Sequence, residues 1–260
     1  MKATGTLPRR TIDLRANNRQ VVLRCLYFSG PVSRVEISQI TTLSVATITH
    51  LLAELIQEGI VIETGLADSE GGRPRTLLGI NPHYGSFIGG AVGGTHLPLA
   101  VFHPTLQLPD ARHYPALPQE TSPQEYVKYI ISGFNELIAQ TGIDLSSILS
   151  MGIGLPGVVE RFGAQHVTSP LWHWQSVPLG DMLRARIPIP VYLDNGAKAL
   201  TLAESWFGAG RGSKNLIAIL LGTGIGAGVI SEANLYLGPT NSAGEFGHTT
   251  IVLGGRLCPC

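Results

Sequence analysis

Cysteine is nearly absent: the 260 residues hold three, at Cys25, Cys258 and Cys260, too few and too unevenly placed for a disulfide framework. Charge is scarce as well. Only 14% of residues are Asp, Glu, Lys or Arg and their formal sum is +0, so the overall balance carries no electrostatic signature of a nucleic-acid or membrane partner. Combined with 44% apolar content, this low charge excludes a disordered or highly solvated protein. No stretch of about 18 uncharged apolar residues occurs, which argues against a transmembrane helix. The basic start is not followed by an apolar h-region, which argues against a signal peptide. A cytoplasmic protein with no membrane partner is the expectation. Glycine, by contrast, is plentiful at 32 residues, implying many tight turns and close backbone approaches. The length favours two domains.

The charge is neutral in sum and uneven in place. Lys2, Arg9, Arg10, Arg15, Arg19 and Arg24 precede residue 25 against Asp13 alone, a basic arm of the kind that meets nucleic acid. From Asn17 to Phe28 apolar residues recur at helical spacing, and Gly30-Pro31 ends the run. Ser33-Arg34-Val35-Glu36 is a capping box opening a short helix that carries Ile37 and Ile40 inward. Thr41 to Leu43 make a turn and Ser44 caps a third helix running to Glu58, with Gly59 as its stop. Val45, Ile48, Leu51, Leu52, Leu55 and Ile56 form its apolar stripe, leaving Ala46, Thr47, Thr49 and His50 off it. Strands are expected at Ile60–Glu63 and Thr76–Ile80, around a Gly71-Gly72-Arg73-Pro74-Arg75 tip. Taken singly, the tip also suits an ordinary exposed turn, and the helices an oligomerisation module. In this order they describe a winged helix-turn-helix. Thr47, Thr49 and His50 would face base edges of double-stranded operator DNA, and Arg73 and Arg75 would reach phosphates or a minor groove.

Residues 17–82 resemble the N-terminal domain of the repressor branch of the ROK (repressor, open reading frame, kinase) family. The residues carrying that resemblance are Asn18-Arg19, Ser33 to Glu36, Leu43 to Thr47, Glu58-Gly59 and Gly71 to Pro74. The remaining chain alternates strands and helices: strands at 87–92, 97–102, 148–155, 190–193 and 216–221, helices at 123–141, 177–186 and 197–207. The expected class is α/β, with an N-terminal winged helix-turn-helix at 1–82 and a second domain at 83–260. The resemblance makes that second domain an actin-like (ribonuclease-H-like) sugar-kinase-type domain whose second lobe is incomplete. By the same resemblance, Gly157 in the Gly154-Leu155-Pro156-Gly157 stretch lies beside a sugar, together with Asn195, Glu245 and His248. Gly222, Thr223, Gly224 and Gly226 correspond to a phosphate loop.

Two departures bear on activity. Family members that phosphorylate sugars begin this domain with Asp-x-Gly-Gly-Thr and place their base in Glu-Asn-Asp-Ala. Here Gly93-Gly94-Thr95 follows Ala91, and Asp194-Asn195-Gly196-Ala197 puts Gly196 at the base position. Phosphoryl transfer needs a group to accept the hydroxyl proton and carboxylates to hold the metal. Asp194 is read as pointing elsewhere, two residues from the required place. Sugar binding without turnover is therefore expected: no enzyme, no ATP requirement, a small sugar acting as inducer.

The resemblance also implies zinc. His248, Cys258 and Cys260 match three ligands of the family's site, and the fourth is missing, so zinc is expected to be weakly held. Family members continue for roughly another hundred residues, so an uncovered sheet edge and exposed apolar surface are expected. A homodimer is implied by the paired half-sites that helix-turn-helix proteins read. The competing readings are an active ROK sugar kinase and a nonfunctional truncated remnant.

Overall fold

The computed structural model describes residues 11–68, 74–93, 96–105, 110–115, 117–118, 121–161 and 163–257. The chain forms two compact units, Met1–Gly85 with His103–Gln107, and Ser86–Phe102 with Leu108–Cys260.

In the first unit, helix α1 (Thr11–Ser29) is followed by the two-residue strand β1 (Val32–Ser33), then α2 (Arg34–Thr41), α3 (Val45–Gln57) and the hairpin β2 (Val61–Leu66) and β3 (Thr76–Ile80). The expected capping box is formed. The Ser33 amide donates to the Glu36 carboxylate at 2.7 Å, and the Glu36 amide donates to Ser33 Oγ at 3.4 Å. Those bonds hold the Glu36 carboxyl below its usual range. Thr42, in the left-handed region at φ 59°, ends α2, and Ser44 caps α3 by accepting from the Thr47 amide. Across that three-residue break the two helices bend by 117°. β3 pairs antiparallel with both β2 and β1, and the chain from Val61 to Ile80 closes further where the Ala67 amide donates to the Arg75 carbonyl at 2.8 Å. Val22, Leu26, Ile37, Ile48, Leu52, Leu55, Val61 and Leu78 form the core.

Three expectations for this unit need correction. α1 begins at Thr11, six residues before the periodic apolar pattern. Ile40 and Val45 do not face the core; they are 55% and 48% exposed. Each sits at the end of a helix just past the edge of a narrow core, and Leu43 from the turn packs there in their place. Arg15 and Arg19 are not a free basic arm: Arg15 pairs with Glu54, and Arg19 grips Glu58 with two guanidinium nitrogens, one at 2.7 Å. These pairs pin α1 to α3, and Arg19 pulls the Glu58 carboxyl below its usual range. Lys2, Arg9 and Arg10 lie outside the described residues.

The second unit is built on a mixed five-stranded sheet. Its strands are β4 (Ser86–Ala91), β5 (His96–Phe102), β6 (Asp110–Pro115), β7 (Ile148–Leu155) and, further along the chain, β11 (Val191–Asn195), in the order β11-β7-β4-β5-β6. β4, β7 and β11 run parallel; β4, β5 and β6 form an antiparallel meander. Helix α4 (Pro123–Thr141) opens on the expected Ser122–Glu125 capping box and ends at Gly142 in the left-handed region. It lays Tyr126, Val127, Ile130, Phe134 and Leu137 into the core, where Tyr126 packs on Trp172 and Trp174 with ring centroids 4.7 and 5.4 Å away. Trp172 and Trp174 flank a small sheet, β8 (Val158–Val159), β9 (Val167–Ser169) and β10 (Trp174–Val177), which precedes the short helix α5 (Leu179–Arg184). This α/β arrangement with a mixed sheet fits an actin-like, kinase-type domain.

Helix α6 (Gly196–Trp206) follows β11 without a loop and packs on β7 and β11 and also on a second antiparallel sheet. That sheet comprises β12 (Leu216–Leu221), β13 (Ile225–Ser231) and β14 (Asn234–Leu235), with β12 at an edge. Its face away from α6 leaves Ile217 and Leu221 62% and 74% exposed, in keeping with the expected apolar surface. Among the described residues no single helix is long and apolar enough to cross a membrane.

The corrected core gives a direct contrast. Ile37→Ala should cost about 2–5 kcal/mol, and Ile40→Ala less than about 0.5 kcal/mol, read as urea unfolding midpoints. Equal losses would show that Ile40 is a core residue after all.

Candidate functional site

The three parallel strands of the second unit end level with one another. Ala91 of β4 and Asp194 of β11 are both register partners of Gly154 on β7. The row Ala91–Gly154–Asp194 thus lies at the carboxyl ends of parallel strands, where α/β sheets bind ligands. A cavity of about 810 Å³ opens at this edge, lined in part by Gly90, Gly154, Asp194, Glu160, Arg161 and Asn241. Asp194 therefore does face the cavity, which corrects the expectation that it points away. It is the penultimate residue of β11, on the same side of the strand as Tyr192, which also lines the cavity, and its Oδ1 accepts from the Asn195 amide at 2.7 Å.

The first turn of α6 carries the rest of the frame. Asn195 caps the helix, its Oδ1 accepting from the amides of Ala197 and Lys198 at 2.9 and 3.1 Å, while its Nδ2 donates to the Gly157 carbonyl at 2.8 Å. The side chain read as a sugar contact is committed to holding the Gly154–Gly157 stretch against the helix. Gly157 is required by geometry: its φ is +105°, and a Cβ there would stand 2.4 Å from the Thr168 carbonyl. Gly196 is different. A Cβ at that position would meet nothing closer than the Leu155 carbonyl at 3.7 Å, an ordinary contact, so the backbone here does not demand glycine.

Lys198 is a buried framework residue beside the site that the sequence reading missed. It is 1% exposed, and its ammonium donates to the Asn241 carbonyl and to Asn241 Oδ1, the latter at 3.0 Å. Asn241 Nδ2 passes the link on to the Val159 carbonyl at 2.7 Å. Burial pushes the Lys198 pKa down, while Asp194 and Glu245, within electrostatic reach, push it back up. A signal existed, since a lysine in the first turn of a helix sits at the wrong end of the helix dipole. Gln165 was missed as well: it lines the cavity and hydrogen-bonds both main-chain groups of Leu193.

Gly157, Asn195, Glu245 and His248 are not among the described residues lining the cavity. Glu245 and His248 flank a 3-10 turn and approach each other at 3.7 Å. Cys258 and Cys260 lie outside the described residues, and among those described no three His, Cys, Asp or Glu side chains group as a metal site would. The proposed phosphate-loop residues divide. Gly222, Thr223 and Gly224 form the turn between β12 and β13, where the Gly222 amide donates to the Gly224 carbonyl at 2.9 Å. Gly226 instead belongs to β13, a correction with a steric cause: a Cβ there would stand 2.9 Å from Ala197 Cβ, and one at Gly228 would stand 2.2 Å from Thr201 Oγ1. These glycines let α6 settle on the strand.

In the first unit Thr47 is half-buried, whereas Thr49, His50 and Arg75 are exposed; Arg73 lies outside the described residues. Thr49 Oγ1 donates to the Val45 carbonyl at 2.8 Å, Thr47 Oγ1 bonds Ser44 Oγ at 2.9 Å, and His50 Nε2 lies 3.2 Å from Glu54.

The two kinds of glycine should separate by substitution. Gly228→Ala is expected to destabilise by about 1–3 kcal/mol through overpacking, and Gly222→Ala, with open space around it, by less than about 0.5 kcal/mol. Thermal unfolding measures both; equal effects would show that the approach of α6 does not require glycine at position 228.

Residues 87–260 match the ROK family. The xylose repressor of Caldicellulosiruptor bescii is 33% identical over 247 residues, covering 95% of this chain and 62% of that protein. The DNA-binding transcriptional repressor Mlc of Escherichia coli is 26% identical, covering 95% and 61%. The crystal structure of a ROK family transcriptional regulator, a homologue of the E. coli MLC protein, has a TM-score of 0.75 at 25% identity and covers 94% of this chain and 62% of that one. A ROK family glucokinase from Streptomyces griseus, in complex with glucose and AMPPNP, has a TM-score of 0.60 at 32% identity, covering 68% and 54%. The chain spans about three fifths of the length of the curated relatives it matches. With the match running from residue 87 through residue 260 on a sheet of this topology, the chain belongs to the ROK family.

Proposed function

We propose that the chain is a DNA-binding transcriptional repressor of carbohydrate genes, whose α/β unit binds a sugar or sugar derivative as inducer without phosphorylating it. The observation that carries the reading is the 117° meeting of α2 and α3 across a three-residue turn, followed by a hairpin. This angle and order support a winged helix-turn-helix reading, in which the start of α3 would enter a major groove and the hairpin would serve as the wing. The repressor matches extend over 94–95% of the chain, a share that must include this unit, whereas the glucokinase match stops at 68%.

On the sugar side, hydroxyls would meet the strand-end row beside Gly154, with Asp194 as an acceptor in the cavity. Gly196 offers nothing at the position of the family's base, and Ala91 nothing for a metal. Occupancy would shift the balance between conformations of differing operator affinity, coupling the two sites. A homodimer reading paired half-sites completes the scheme. His248, Cys258 and Cys260 together form a donor set of zinc chemistry, and no step here depends on it.

One observation favours a second reading, an active sugar kinase: Asp194 lines the cavity and could serve as a displaced base. An ATP-coupled assay over a panel of sugars separates the two. The repressor reading expects no sugar phosphate, sugar binding by calorimetry, and loss of operator affinity when that sugar is present. Steady turnover abolished by Asp194→Asn would replace it with the kinase. Arg73→Ala and Arg75→Ala should each lower DNA affinity and reduce the salt slope by about one; unchanged binding would remove the wing from the interface.

A further inference from the structure

The outward face of α3 is poor in hydrogen-bonding side chains, with only Thr49 and His50 among its exposed residues before Gln57. Val45, Ala46, Thr49, His50 and Ala53 form its exposed stripe, opposite the buried Ile48, Leu51, Leu52 and Leu55. The helix contains no Arg, Lys or Asn, and its one Gln is its last residue, Gln57. Those are the side chains that make bidentate hydrogen bonds to guanine and adenine in the major groove.

The hydroxyls around the stripe are committed internally. Thr49 Oγ1 donates to the Val45 carbonyl, so its one proton is used and the exposed side chain presents its methyl beside an oxygen that can only accept. Thr41 Oγ1 donates to the Ile37 carbonyl, Thr42 Oγ1 to the Thr41 carbonyl and Ser38 Oγ to the Leu43 carbonyl, each at 2.6 Å. Ser44 and Thr47 bond each other, and Ser44 also accepts from the Thr47 amide. His50 is held near Glu54, which pairs with Arg15 as well. What remains at the start of α3 is a patch of aliphatic carbon on Val45, Ala46 and Thr49, with Val45 48% exposed although it is a valine.

Resting on the DNA-binding reading above, we infer that α3 selects its site by apolar contact of Val45, Ala46 and Thr49 with thymine C5-methyl groups, not by hydrogen bonds to purine edges. Ala and the Thr methyl are suited to this contact, and thymine is the one base that presents a methyl in the major groove. Burying these aliphatic groups against thymine would also cover the carbon that the fold leaves in water.

The test uses the full chain and a randomised duplex pool. Sites recovered by selection are remade with deoxyuridine for thymidine, a change that removes only the methyl and keeps the pairing. Affinity should fall about fourfold for each contacted methyl. Thr49→Ser keeps the back-bonded hydroxyl and drops the methyl; it should weaken binding to the thymidine duplex and leave binding to the uridine duplex as in the parent protein. Equal affinity of the parent for the two duplexes, or recovered sites fixed at G·C pairs under α3, overturns the methyl reading while leaving DNA binding intact. Failure to bind any duplex overturns both.

Discussion

Helix α6 lies closer to its neighbours than side chains allow, and the candidate site is arranged around that contact. A Cβ at Gly154 would stand 3.2 Å from Gly196 Cα, and one at Gly228 would overlap Thr201 Oγ1. Backbone therefore meets backbone on the β7 side, and helix meets bare strand on the β13 side. This approach brings the start of α6 to the ends of the parallel strands, where Asn195 can cap the helix and still reach the Gly157 carbonyl. It also shuts the Lys198 ammonium away from water, which Asn241 makes tolerable by accepting from it twice. Breaking any of these contacts would move the strand-end row, since burying an unpaired amide or ammonium costs more than the bond itself returns.

How much of this was legible in the sequence depended on whether the signal was local. Both capping boxes, the span of α4, the strands β7 and β12 and the hairpin partner β3 follow from periodicity and punctuation within a few residues, and they stand where expected. The failures are of another kind. Ile40 and Val45 have the right spacing for a core face, but the core is narrower than the helices that cover it. Arg15 and Arg19 read as free charge because their partners, Glu54 and Glu58, are 39 residues away. Gly226 looked like part of a loop because a glycine that opens room for a helix is indistinguishable in sequence from one that opens room for a phosphate. The short strands β1, β8, β9 and β10 are too brief to carry a period at all. At the site, Asp194 was misplaced because the strand was taken to end at residue 193, whereas β11 runs on to Asn195 and keeps Asp194 in register with Gly154.

Glycine at position 196 is not forced by close packing, since a Cβ there would make only ordinary contacts. Nor does the fold lack polar groups at this edge. Several are committed to the frame: Asn195 to the helix cap, Gln165 to Leu193, Lys198 to Asn241. Such groups hold a pocket in one shape, and Asp194 is the carboxylate beside Gly154 in the strand-end row. Preorganised shape with little chemistry suits recognition, because affinity gained from fixed contacts is not lost to product release.

That distinction bears on how a sugar could act through such a pocket. A ligand shifts an equilibrium only by the difference in its affinities for the two states, and turning a regulator from 1:99 to 99:1 takes a difference of about 10⁴-fold. A kinase must limit its grip on the ground state so that binding energy appears in the transition state and product can leave. A pocket without a base at Gly196 is under no such limit. All of its binding energy can be directed to discriminating one conformation from another. If α3 meets DNA as proposed, the same economy would hold there, with hydroxyl protons held internally and selectivity resting on shape and methyl contact.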